Sequence, residues 1–158
     1  MGVFDLFKKK PVQHGCTDED QKKFADDVRA DADALVEQFK DGFNLDFSIS
    51  SLQLLEQILD GTAEYYNTKM DDETKKRTIK KAGSYIFEVA KQNFGGTYHW
   101  YDKLEQAVLV TGKPDFDVSL LAFEKVKGRL ENGIEDNIPF FFEGYIKAVK
   151  RKASAMIV

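Results

Sequence analysis

Residues able to do chemistry are sparse in this chain. Two histidines, His14 and His99, and one cysteine, Cys16, are its only imidazole and thiol groups. His14-Gly15-Cys16 could clip a soft metal, but two ligands in a tail do not make a tetrahedral site. As a nucleophile Cys16 would need a base and positive surroundings, whereas Asp18, Glu19 and Asp20 follow it and disfavour a thiolate. Gly95-Gly96 follows a helical pattern and precedes a strand, the reverse of a phosphate-binding loop, and Gly112-Lys113-Pro114 lacks such a loop's other glycines. Both read as turns. Ser84 sits inside a helical pattern and Ser119 near a cap, so each reads as structural. The pairs Asp26/Asp27 and Asp31/Asp33 read as a solvated helix face. No metal and no cofactor is expected.

One cluster stands apart: Tyr98-His99-Trp100-Tyr101. Strand alternation puts Tyr98 and Trp100 on one sheet face and His99 and Tyr101 on the other. Dense cross-strand packing is the plain account of such a strand. A contact surface is the functional one, because Trp and Tyr are favoured interface anchors. An acid–base role for His99, with a carboxylate brought close by folding, is a third.

The elements that would position this cluster follow from periodicity. Thr17 caps a first helix, with Asp18, Glu19 and Asp20 against its positive end and Phe24, Val28, Ala32, Leu35, Val36 and Phe39 on one face. Asp41-Gly42 ends it, and Phe43–Phe47 alternates as a short extended segment. Ser48 or Ser50 caps a second helix through Leu52, Leu55, Ile58 and Leu59, closed by Asp60-Gly61. A third runs from about Asp72 to Asn93, basic in its first half and apolar on more than one side in its second. Strands at Thr97–Tyr101 and Ala107–Thr111 form a hairpin, Phe116–Val118 adds a short third strand, and a helix runs from about Ser119 to Leu130. Asn137 caps the last helix, with Pro139 in its first turn. The expectation is an α+β domain over 17–158, about five helices around a small antiparallel sheet built on the hairpin 97–111, behind a flexible tail at 1–16.

Charge and composition narrow the function. With 158 residues the chain can bury a core without disulfides or metal, and one cysteine permits no internal disulfide. No apolar run reaches the ~20 residues needed to span a bilayer, so no integral membrane insertion is expected. The first ten residues put apolar groups before lysines, the reverse of a signal peptide, and Leu6 breaks a myristoylation motif. A cytoplasmic location is expected. Net charge is −4, which argues against a nucleic-acid partner. Residues 17–60 carry twelve acids against four bases, a surface suited to a basic protein partner. Phe4, Leu6 and Phe7 before Lys8–Lys10 also resemble a peripheral membrane anchor, as does the aromatic stripe of the last helix before Lys147, Lys150, Arg151 and Lys152. For the last helix a core role is preferred.

Tyr85-Ile86-Phe87-Glu88, Gly95-Gly96 with Trp100, Arg129-Leu130-Glu131-Asn132-Gly133, Glu135-Asp136 and the aromatic run to Tyr145 together resemble small standalone bacterial domains of unknown function, some of them similar to immunity-type proteins that neutralise toxins. The likeness covers roughly the last half of the chain and brings no catalytic pattern. The resulting expectation is a non-enzymatic protein-binding module, in the resemblance's terms an immunity-type one, with Tyr98, His99, Trp100 and Tyr101 as its contact region. The acidic helix at 18–37 supplies a second surface. The alternatives are a small ligand-binding domain or enzyme using His99, and membrane attachment through the N-terminal stub.

Overall fold

The computed structural model describes residues 17–158. The tail at 1–16, with His14, Cys16 and the Phe4/Leu6/Phe7 stub, lies outside the described residues.

Helix α1 (Asp18–Phe39) starts in a capping box. The Asp20 N–H donates to Thr17 Oγ1 at 3.1 Å, and the Thr17 N–H to Asp20 Oδ2 at 3.0 Å. Val28, Ala32 and Leu35 are its buried face. Phe43–Phe47 forms no strand; it is a loop whose Phe47 has φ +62. Ser48 then caps a 3₁₀ turn (Ile49–Ser51) that leads into α2 (Leu52–Thr68).

Asp60-Gly61 does not close α2, contrary to the sequence expectation. Both residues face solvent, and an exposed helical Gly costs only about 1 kcal/mol relative to Ala. Tyr66, buried more than a turn later, keeps the helix on the core. Helix α3 (Asp72–Phe94) is capped by Asp71, which accepts the Thr74 N–H at 2.8 Å, and stops at Gly95 with φ +77. Residues 82–90 are all buried, as an all-round apolar second half requires.

The sheet joins β1 (Thr97–Tyr101), β2 (Gln106–Thr111), β3 (Val118–Leu120) and β4 (Ala155–Ile157) in that spatial order. β1, β2 and β3 pair antiparallel, but β4 runs parallel to β3, so the sheet is mixed and not the purely antiparallel one expected. The third strand also lies two residues later than expected. Ser119 is therefore a strand residue, and α4 (Ala122–Asn132) begins at Ala122. A 3₁₀ turn (Ile134–Asp136) leads to α5 (Ile138–Lys150), where Asn137 Oδ1 accepts the Phe140 N–H at 3.0 Å. The crossover through α4 and α5 returns the chain beside β3, which is how a parallel partner arises.

Among the described residues, five helices and one sheet make this an α+β fold. The main core lies between the helices and the inner sheet face, where Tyr98, Leu109, Val118 and Leu120 meet Tyr85, Phe87, Phe142 and Tyr145. Among the described residues, no helix is long and apolar enough to cross a membrane.

Candidate functional site

The hairpin divides its four aromatic residues between two faces, as alternation requires. Tyr98 points to the helices and is buried, its hydroxyl donating to Glu88 Oε2 at 3.1 Å. Burial, reinforced by the Glu88 charge, drives its phenol far above the usual range. His99 and Tyr101 are on the outer face. Tyr101 is buried with Val108, Val110 and Leu121, while His99 is half-buried, its Nε2 2.9 Å from Thr97 Oγ1. Burial first, and Lys113 second, lower the basicity of His99.

Trp100 shares the inner face with Tyr98 but sits nearer the hairpin turn, half-buried and stacked on Phe24 of α1 at 5.6 Å and 14°. The two rings wall a groove of about 400 Å³. Val28 of α1, Ile79 of α3, Ala107 of β2 and Phe123 of α4 complete its apolar lining. Gly83 of α3 permits the Phe123 ring to lie where it does: a Cβ there would stand 2.4 Å from Phe123 Cδ1. Asp27, Lys76, Lys80 and Glu105 border the groove. Lys80 lies 3.6 Å from Asp31, while Asp27, Lys76 and Glu105 have no ion-pair partner among the described residues. Asp26, exposed beside Asp27 on α1, has none either. The sequence treated Trp100 and the acidic helix as two surfaces. Stacking of Phe24 on Trp100 brings them into one.

Of the remaining candidates, Ser84 and Ser119 are buried, and neither hydroxyl has a hydrogen-bond partner among the described residues. No base among the described residues is within hydrogen-bond reach of either one. Asp31 and Asp33 pair with Lys80 and Arg29. Among the described residues no group of three or more His, Cys, Asp or Glu side chains is placed to hold a metal ion.

Two polar clusters went unforeseen. In the first, Arg129 of α4, fully buried, donates from Nε to Glu56 Oε2 at 2.6 Å and from Nη2 to Asp60 Oδ1 at 2.9 Å. Glu56 Oε1 accepts the Ile138 N–H at 3.0 Å, so one α2 carboxylate holds α4 and also takes a first-turn N–H of α5 that Asn137 leaves unsatisfied. In the second, Arg29 Nη1 reaches Glu88 Oε1 at 3.5 Å, and its guanidinium lies 5.1 Å from the Phe47 ring centroid. Phe47 stacks on Tyr85 at 4.9 Å, and the Tyr85 hydroxyl meets Ser51 Oγ at 2.6 Å. The readable sign was position: Glu56 falls four residues after Leu52 and three before Leu59, on the apolar stripe, and Glu88 lies within the buried run of α3.

Chemically, the groove offers apolar contact and, among the described residues, unpaired charge of both signs, whereas in the two polar clusters the charged groups are paired with one another. A scan against protein-family models, a search of curated proteins and a search of solved structures found no match to this chain.

Proposed function

We propose that this chain is a non-enzymatic protein-binding module that takes its partner at the Trp100 groove. The observation that carries the reading is the stacked Phe24–Trp100 pair, half-buried, at the edge of an apolar groove beside acids of α1 that are unpaired among the described residues. A partner that fits presents an apolar anchor flanked by basic side chains. Tyr98 and Tyr101 then act as supports and not contacts, Tyr98 fixing the strand from the core and Tyr101 from the outer face. An immunity-type role, with a toxin as the bound protein, rests on the sequence resemblance alone.

The test is affinity capture of the tagged chain from its own cell lysate, run beside Trp100→Ala and the double variant Asp26→Asn/Asp27→Asn. One stoichiometric protein is expected with the parent chain, lost with Trp100→Ala and weakened by the double variant at low salt. A partner retained equally by all three overturns the groove assignment.

The groove's volume favours a second reading. About 400 Å³ falls within the ~300–1,000 Å³ of small-molecule sites, so a small apolar ligand is the alternative occupant. His99, on the opposite sheet face, does not line it. Saturable quenching of Trp100 fluorescence by a small hydrophobic probe, with no protein captured, would favour the ligand.

A further inference from the structure

A second cavity, of about 310 Å³, opens between α1, α2 and α3 and shares no lining residue with the Trp100 groove. It exists because α1 packs along α3, whereas α2, joined to α3 by Lys69–Asp71 alone, barely touches it. Leu35 and Phe39 of α1, Ile58 and Leu59 of α2, Ala82 of α3 and Met70 of the connection form its apolar wall. The polar groups around it are of one kind. Thr62 and Thr78 spend their hydroxyl protons on the carbonyls of Ile58 and Thr74, at 2.7 and 2.8 Å. The strong donors that remain are the Arg77 guanidinium and the Lys81 ammonium, with the exposed Tyr65 phenol beside them. Arg77 Nη2 reaches the Thr74 hydroxyl at 3.4 Å, and Lys81 Nζ the Gln38 amide oxygen at 3.3 Å; both acceptors are neutral. Among the described residues neither cation has an ion-pair partner, and no carboxylate lines the cavity. The Trp100 groove, by contrast, is bordered by both signs of charge.

We propose that this cavity binds a small amphiphilic carboxylate, its acyl chain against the apolar wall and its head group between Arg77 and Lys81. Charge selects the anion. Arg77 and Lys81 stand four residues apart on one face of α3, so they repel each other, and an anion between them turns that repulsion into attraction. The planar guanidinium fork matches the two oxygens of a carboxylate, and the ammonium adds a point charge. Arg77 is exposed and Lys81 half-exposed, so their charges stay near water and the head group need not be fully stripped of it. Size selects the chain. At ~30 Å³ for each water-sized group the cavity holds about ten of them, the length of a medium acyl chain. Met70 lets the wall refit, since an unbranched thioether adapts to what lies against it. The site is independent of the Trp100 groove and of any protein bound there.

Methyl-resolved NMR titration of the full chain with sodium decanoate, kept below its micelle concentration, tests this. Saturable shifts are expected at the Ile58, Leu59 and Met70 methyls, with the Ala107 methyl of the Trp100 groove unmoved. Decyltrimethylammonium, which has a chain of the same length and the opposite charge, should bind at least about tenfold more weakly. The variant Arg77→Gln/Lys81→Gln should lose at least about tenfold in decanoate affinity and bind the two probes alike. Should that variant fail to fold, the comparison of the two probes on the parent chain decides. Equal binding of both probes by the parent, or undiminished decanoate affinity in the variant, overturns the proposal. Shifts that grow without saturating, or that fall on Ala107 and Trp100 instead, also overturn it. Shifts at Ile58 and Met70 with phosphatidylglycerol vesicles but not with decanoate overturn it in favour of a lipid surface.

Discussion

The polar centre between α2, α4 and α5 and the groove between α1, α3 and the hairpin use the same residue types in opposite ways. At the centre the Arg129 guanidinium, 1% exposed, meets two carboxylates, and Glu56 spends its second oxygen on the Ile138 N–H. At the groove Asp26, Asp27, Lys76 and Glu105 are exposed and have no ion-pair partner among the described residues. Desolvating an ion costs several kcal/mol, so a buried charge persists only when it is fully partnered. A surface charge costs little to leave single. The first arrangement fixes three helices; the second keeps charge available to another molecule.

Glu56→Ala would break this contrast most sharply. It strips Arg129 of its closest acceptor and the Ile138 N–H, in the first turn of α5, of its partner, leaving a buried guanidinium with Asp60 alone. Loss of about 3–5 kcal/mol in urea unfolding is expected. Replacing the pair together, Glu56→Met with Arg129→Met, should recover more than half of that loss. A loss below about 1 kcal/mol for the single variant would mean that the centre is as loosely held as the groove.

The floor of the groove gives the next largest effect. Gly83→Ala would place a Cβ 2.4 Å from Phe123 Cδ1 and 3.3 Å from Phe123 Cα. The ring can turn away, but the backbone atom cannot move without shifting α4. Overpacking of this kind costs about 1–3 kcal/mol, offset by up to about 1 kcal/mol of helix propensity. A net loss is expected in thermal unfolding, together with a displaced Phe123 ring and weaker binding at the groove. An unchanged melting temperature would show that α3 and α4 do not need this close approach.

How far these regions could be read from the sequence depends on the range of the interactions that form them. The caps at Thr17 and Asn137 are local, and both hold. Alternation in Tyr98–Tyr101 is also local, and its division between faces holds; that both faces would bury a tyrosine is a matter of what packs on each. β4 carried no such sign. Ala155–Ile157 is three residues long and pairs because the crossover leaves the β3 edge free beside it. The Phe24–Trp100 stack likewise joins a helix and a strand whose relation is set only by the fold. Glu56 was readable as a charge on an apolar stripe, but its partner Arg129, 73 residues away, was not.

Alkaline pH acts on the buried side of the contrast. Burial pushes the Tyr145 phenol up to about 12, and burial with the Glu88 charge raises Tyr98 further. Unfolded tyrosine titrates near pH ~10. Because the folded values are the higher ones, the stabilisation is fully present below pH ~10 and is lost as pH rises through the folded values. Stability to urea should be flat from about pH 8 to 9.5 and fall steeply above 10. Tyr145→Phe should soften that fall while leaving Thr111 Oγ1 bonded to the Gly95 carbonyl. A fall as steep in Tyr98→Phe/Tyr145→Phe as in the parent would remove these phenols as its cause.

The smallest effect on stability is expected from Asp26→Asn/Asp27→Asn, and it sharpens the comparison most. Both side chains are exposed and unpaired among the described residues, and both lie beyond the first turn of α1, where the helix dipole has little hold. Asp27 stands four residues before Asp31 on the same helical face, so neutralising it also relieves a like-charge pair worth a few tenths of a kcal/mol, about 0.2–0.5. The two contributions nearly cancel, and the melting curve should stay within about 0.5 kcal/mol of the parent. If the variant instead loses more than about 1 kcal/mol, these acids belong to the fold's own balance, like Glu56, and are not free for a basic partner. If stability holds while partner affinity falls at low salt, the acids serve binding alone, which is what separates the groove from the polar centre.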